Sequence, residues 1–263
     1  MSALTKPNPS RLALRNLPPF SPVATKLMTL LRRENSSFRD AADLLKSDAA
    51  LTAEVLRLAN SPMAGLRFPT TSLLQALSVL GVNRIASLAT TLCVGRLLKP
   101  LAKSPLMRRC WRHNLATALI ASHWSAEYRV DAEKAYTFGL LSGLGRLALL
   151  VSDPEVYTRL AERAQIEKMP LEVLENRFFG FDHHDAGRWL VTEWKLPEEL
   201  NDVLAGNPTD GPNADLAMLI RQSSSEATRL GFGVLEVPAS EPPDAASFEI
   251  AERVNQIEQD LAI

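Results

Sequence analysis

Four histidines, His113, His123, His183 and His184, carry most of the chemistry open to this 263-residue chain. An imidazole can hold a divalent metal, move a proton or activate a hydroxyl. A metal needs several ligands on one ion, and the nearest carboxylates are Asp182 and Asp185, which bracket the His183-His184 pair. No two histidines have the His-x-x-x-His spacing that puts both rings on one helix face, so a metal site would need tertiary convergence. Ser142, His183 and Asp182 or Asp185 supply the residue types of a nucleophilic triad, but no Gly-x-Ser-x-Gly elbow surrounds Ser142. Gly139, Gly143 and Gly145 lack the preceding strand and the Lys-Ser/Thr of a phosphate loop, and read better as close helix packing. The residues favour a helix start capped by Asp182 for His183 and His184, with pocket lining as the alternative. His113 reads as a polar group on a buried helix surface, bonded through one ring nitrogen. His123, beside Trp124, reads as a surface or boundary residue, and Arg146 as a surface arginine or an anion ligand in a cleft.

Helices must position these groups, because apolar residues recur at helical spacing and strand-like alternation is nearly absent. Ser21 before Pro22 predicts a helix start, with Val23, Leu27, Leu30 and Leu31 on one face to about Arg33. Ser37 or Asp40 starts a short helix through Lys46, and Asp48 caps the run that holds Leu51, Val55, Leu58 and Ala59. Thr71 or Ser72 opens a helix that Gly81 stops, and Asn83 restarts the chain into a longer one. A second helical block begins near Leu106, a loop is predicted over 206–213, and the last helix starts at about 244. The class is all-α, with many short helices.

Composition is that of an ordinary globular protein, with 46% hydrophobic and 22% charged residues. Cys93 and Cys110, both in apolar helical segments, read as reduced thiols. There is no secretory h-region, and no unbroken apolar run approaches the roughly 18 residues that span a bilayer, so the expectation is a soluble cytoplasmic protein without a membrane partner. The formal net charge of −1 hides an asymmetry. Val55–Ala126 contains no Asp or Glu, while Arg57, Arg67, Arg84, Arg96, Lys99, Lys103, Arg108, Arg109 and Arg112 are all basic. From Glu236 onward seven acidic residues face a single base, Arg253. Either the basic half meets an anionic partner or the acidic tail folds against it.

Residues 17–99 contain "LPPFSPVATKLMTLL", "SDAALTAEVLRLANSPMAGL" and "TSLLQALSVLGVNRIASLA". In that order and spacing they resemble the N-terminal half of the HDOD (HD-related output domain) family, a signalling branch of the HD phosphohydrolase superfamily. "CWRHNLATALIAS", "AYTFGLLSGLGRLAL" and "FGFDHHDAGRWLVTEWKLPEEL" resemble its HD-like half. The resemblance implies a domain over 14–208, with an N-terminal helical part (14–100) packed on a degenerate HD-like helical core (101–208). Residues 209–263 then form a C-terminal helical extension with an acidic tail.

In the HD superfamily an adjacent His-Asp pair helps hold the metal that activates water and polarises a phosphoryl oxygen. The matching position here is Ser142-Gly143, a poor ligand followed by no side chain, and Gly206-Asn207-Pro208 stands where related sequences often carry a His pair. The resemblance therefore implies a non-catalytic signalling or scaffold module with no cofactor. Its partner would be a signalling protein in trans, of the cyclic-di-GMP-related, chemosensory or kinase kind, with a nucleotide as a further candidate ligand. A residual pocket would be formed by His113, Arg146, His183, His184 and Asp185. The partner or anion surface would draw on Arg96, Lys99, Lys103, Arg108, Arg109, Arg112, Asn60 and Ser61. Two alternatives stand beside this: a metal-dependent phosphodiesterase with relocated ligands, and a nucleic-acid-binding regulator using the basic 84–112 segment, where Trp111 is the only aromatic residue.

Overall fold

Small polar residues ahead of the apolar runs decide where the helices begin. The structure, a computed structural model, describes residues 14, 17, 19–30, 38–61, 69–101, 103–205, 213–235 and 245–261. Helix α1 (Pro22–Leu30) starts behind Ser21, whose hydroxyl accepts the Ala24 N–H at 3.3 Å. After α2 (Phe38–Lys46), Asp48 caps α3 (Ala49–Ala59) by accepting the Leu51 N–H at 2.9 Å. Ser72 caps α4 (Leu73–Leu98), which Gly81 interrupts with φ 81° and ψ 163°. That left-handed-side φ is open to glycine and costly for other residues, so the apolar runs before and after it point in different directions.

A 3-10 turn (Lys99–Leu101) leads to Ser104, the cap of α5 (Pro105–Trp124). Asp131 caps α6 (Ala132–Leu141), and a two-residue turn, Ser142-Gly143, separates it from α7 (Leu144–Ser152). Asp153 then caps α8 (Pro154–Glu167), and α9 (Leu171–Phe179) ends at Gly180 with φ 78°. The remaining helices are α10 (His183–Glu193), α11 (Leu200–Leu204), α12 (Ala214–Ala227) with a π-helical turn at Thr228–Phe232, and α13 (Ala245–Leu261). No strand occurs among the described residues. Pro18, Pro62, Met63, the predicted helix end near Arg33, Gly206-Asn207-Pro208 and the rest of the loop before Asn213, and the acidic link over 236–244 lie outside them.

The first three helices pack on α4, with Leu27, Leu45, Leu51, Leu58 and Leu77 fully buried. Fully burying one such side chain stabilises the fold by about 1.5–3 kcal/mol. The second half of α4 packs on α6, α5 lies between α6 and α12, and α7 crosses α10. Trp111, Phe138, Tyr157 and Phe181 fill the middle. One continuous core joins Leu14 to Ile257, so the two parts divided at residue 100 share their interior through α4. Helix α12, beyond residue 208, belongs to this core and packs on α5, α6 and α11.

The reading of bilayer-scale apolar runs needs correction. Leu73–Leu101 and Ala132–Ser152 are long and apolar enough to cross a membrane by length and composition. An unbroken-run search passes over them because Arg84 and the Ser142-Gly143 turn interrupt the sequence. In the fold 67% and 78% of their apolar windows are buried inside the protein.

Candidate functional site

Helices α5, α7, α10 and α12 meet around a cleft of about 250 Å³, whose walls include His113, Arg146, His183, His184, Arg221 and Ser224. Glycines allow the helices to come this close. A Cβ at Gly139 would sit 2.8 Å from the Cα of Ala118, and one at Gly145 would sit 1.8 Å from the carbonyl oxygen of His183. The Gly139/Gly145 pattern is thus packing between α6 and α5 and between α7 and α10.

The buried polar groups form a chain that starts from the cap of α10. Asp182 accepts the Asp185 N–H at 2.9 Å and Asp185 accepts the Asp182 N–H at 3.5 Å, a capping box that fixes His183 in the first turn. Glu175 of α9, fully buried, receives the His183 backbone N–H at 2.9 Å and lies 2.6 Å from His183 Nδ1. Its other oxygen accepts the Tyr157 hydroxyl at 2.5 Å. On the far side of the ring, Arg146 Nη2 lies 2.8 Å from His183 Nε2. A guanidinium can only donate, so Nε2 must accept and the ring proton must sit on Nδ1, pointing at Glu175. The imidazole bridges a cation to a carboxylate. Burial pushes the Glu175 carboxyl up, but the His183 bonds, the Arg146 charge and the Tyr157 hydroxyl outweigh it and hold it below the usual carboxylate range.

His113 is bonded through both ring nitrogens, where the sequence suggested one. Nδ1 is 3.0 Å from the Phe232 carbonyl oxygen and Nε2 is 3.0 Å from Ser224 Oγ. A carbonyl only accepts, so Nδ1 carries the proton and Ser224 donates to Nε2. Burial, helped by the Arg146 charge, pushes the His113 imidazole down to about 4. Burial likewise takes His184 to about 4, and its Nδ1 has no hydrogen-bond partner among the described residues.

These groups do not fit a divalent metal. The lone pairs of His113 and His183 that a metal would use are already spent on Ser224 and Arg146. No group of three or more His, Cys, Asp or Glu able to hold a metal occurs among the described residues. At the turn, a Cβ on Gly143 would lie 2.2 Å from Asn114 Oδ1 and 2.8 Å from its Cγ. The Asn114 side chain, 2% exposed, fills the space that an aspartate at 143 would need. Ser142 donates to the Gly139 carbonyl at 2.7 Å.

Other residues singled out in the sequence fall elsewhere. Asp185 does not line the cleft; besides its cap it accepts from Arg188 at 2.5 Å. Arg146 stands half-buried in the cleft wall and not on the open surface. His123 is exposed. Asn60 holds its own turn, accepting the Thr70 N–H at 2.7 Å and donating to the Thr70 carbonyl at 2.8 Å, while Ser61 donates to the Leu58 carbonyl. Arg96 pairs with Glu54 at 3.1 Å, Arg109 donates to the Val234 carbonyl, and Lys99 lines a separate cleft with Arg57 and Asp260. Arg108 and Arg112 converge on Glu258 of α13 at 3.3 and 2.5 Å, so this part of the acidic tail folds against the basic helix. Lys103 is exposed.

Glu175, Tyr157 and Asn114 were missed from sequence. The available signal was placement: Glu175 shares the Leu171/Leu174 face and Tyr157 the Leu160/Ala161/Ala164 face, where an apolar residue is expected.

The HDOD domain family matches residues 17–207. The fold is shared with an HDOD domain protein of unknown function from Geobacter sulfurreducens, at TM-score 0.72 and 22% identity over 94% of this chain and 88% of that one. It is shared equally with a candidate phosphohydrolase from Shewanella amazonensis SB2B, at TM-score 0.70 and 21% identity over 94% and 96% of the two chains. A candidate signal transduction protein from Marinobacter aquaeolei VT8 matches at TM-score 0.69 and 22% identity, over 94% of this chain and 59% of that one. An uncharacterized protein of Treponema pallidum (strain Nichols) is 24% identical over 168 residues, which is 63% of this chain and 32% of the relative.

Proposed function

The chain belongs to the HDOD domain family, and from that premise we propose that it is a signalling module of the HD superfamily that has exchanged metal-dependent hydrolysis for binding a protein partner. The observation that carries the reading is the packing of Asn114 into the volume beside Gly143. The family's metal pair falls on Ser142-Gly143, and the space its carboxylate would take is filled from α5. The Arg146–His183 bond adds to this, because a cation on Nε2 denies that nitrogen to a metal. A module without chemistry of its own acts through surfaces, and its partner here is a signalling protein supplied in trans, of the cyclic-di-GMP-related, chemosensory or kinase kind.

The test is elemental analysis of purified protein after loading with Mn, Fe, Ni or Zn, alongside turnover of a chromogenic phosphodiester. The expectation is substoichiometric metal and no turnover above the buffer rate. Stoichiometric metal, with turnover that disappears in His183→Ala, would overturn the reading in favour of the relocated-ligand phosphodiesterase.

A further inference from the structure

Helix α13 carries Val254, Ile257 and Glu258 at i, i+3 and i+4, and among its described residues these are the deeply buried ones beside Ser247, at 0%, 2% and 4% exposure for the three. They make one narrow stripe laid along α5. Glu258 sits between Arg108 and Arg112, and Asn255 accepts from Arg112 at 2.8 Å. Charge complementarity is strong, yet the fit is incomplete on both sides. Toward Leu119 and Tyr136 an empty cleft of about 350 Å³ runs beside Ile257. Toward Arg57 and Lys99 another of about 390 Å³ runs beside Asp260. Glu258 Oε1 and Asp260 Oδ2 are buried without hydrogen-bond partners, while Arg57 and Lys99 have no ionic partner among the described residues. Asp260 thus brings an unpaired carboxylate oxygen into the cleft that Arg57 and Lys99 line, so the helix matches the charge of its groove without pairing every group in it.

The groove also touches the cleft. Arg112 lies 5.7 Å over the Phe232 ring, and the Phe232 carbonyl holds the Nδ1 proton of His113. Whatever sits on Arg112 therefore bears on the same turn that orients His113.

We propose that the α5 groove is a docking site for an acidic amphipathic helix of a partner protein, and that α13 occupies it in cis as a stand-in that the partner displaces. The stand-in defines the partner's chemistry: two apolar residues three apart, a carboxylate next to the second, and further acids toward Arg57 and Lys99. The proposal rests on the partner-binding reading above and names the surface and the kind of partner.

The experiment uses the full chain and a fluorescent peptide of residues 245–261 as the probe, read by anisotropy. A helix tethered in cis competes at high effective concentration, so the wild type binds the probe weakly. Glu258→Arg, which sets a cation against Arg108 and Arg112, frees the groove and tightens probe binding by about tenfold or more. A scrambled peptide of equal charge stays weak, and adding Arg112→Glu abolishes the gain. Hydrogen exchange on the unmodified chain needs no variant to fold. Protection of 245–261 lies well below that of the core helices α4 and α5, because α13 is held by one narrow stripe that opens without unfolding the rest. Protection of 245–261 equal to that of the core helices, equal binding of the scrambled peptide, or a wild-type dimer that exchanges α13 would each overturn the proposal. None of these results bears on metal content or turnover, which alone decide the reading on which it rests.

Discussion

Replacing Gly143 by alanine tests whether Asn114 occupies the volume that a side chain at position 143 would need. The new Cβ would meet Asn114 Oδ1 at 2.2 Å, against the 3.4 Å where ordinary contact begins, so the amide must retreat by more than an ångström. Asn114 is 2% exposed on α5 and cannot swing into water. Overpacking of this kind costs about 1–3 kcal/mol. The backbone at 143, φ −93° and ψ 12°, accepts an L-residue, and loss of glycine's freedom in the unfolded chain returns about 0.4–1 kcal/mol. The net expectation is a loss of about 1–2 kcal/mol, or about 2–8 °C in Tm for a chain of this size. Asn114→Ala removes the obstructing atoms, so the double variant recovers most of the loss. Urea unfolding of the four proteins measures the coupling, expected at about 1–2 kcal/mol. Additive effects, or a Gly143→Ala chain as stable as the wild type, would refute the assignment of that volume to Asn114.

Four further outcomes follow from the site. Gly145→Ala places a Cβ 1.8 Å from the His183 carbonyl oxygen, which the α7–α10 contact cannot absorb; little soluble folded protein is expected by circular dichroism. Glu175→Gln leaves the His183–Arg146 arrangement without its buried anion and costs about 3–5 kcal/mol by chemical denaturation. Stability falls with acid: His113 stays neutral in the fold down to about pH 4 but protonates near 6.5 when unfolded, so its contribution is complete above 6.5 and is lost between 6.5 and 4. At about 1.4 kcal/mol per pH unit the loss approaches about 3 kcal/mol, readable as a falling urea midpoint, and Glu175, held low, adds to it at still lower pH. Ser142→His with Gly143→Asp binds no stoichiometric Zn or Mn while Arg146 and Asn114 remain, whereas adding Arg146→Met and Asn114→Ala frees both His183 Nε2 and the space beside position 143 and admits the metal, as followed by elemental analysis.

The helix starts were legible because their causes are local. Asp48, Ser72 and Asp182 cap the helices they precede, and Gly81 breaks the run it ends, through bonds and torsions spanning a few residues. The turn at Ser142-Gly143 between α6 and α7 was legible for the same reason, since it lies within a motif of fixed spacing. The filling of that position by Asn114 was not, because Asn114 comes from a different helix and looks like any polar neighbour of His113. Arg146 read either as a surface arginine or as a cleft residue because a lone arginine gives no sign of what it faces; its partner chain runs through α10, α9 and α8. The wall supplied by Ser224 and Arg221 lay in a segment read as an extension, although its apolar stripe, Leu216, Leu219 and Ile220, already called for a partner surface.

The Arg146–His183 bond changes how this protein depends on its surroundings. A metal ion has an occupancy set by supply, competes with other ions, and departs when a chelator is added. A guanidinium on α7 has an occupancy of one by covalent construction, and it comes into place whenever α7 packs on α10. The positive charge at the centre of the site is thus inherited with the chain and renewed at each folding event, indifferent to metal starvation, chelators or the identity of the ions at hand.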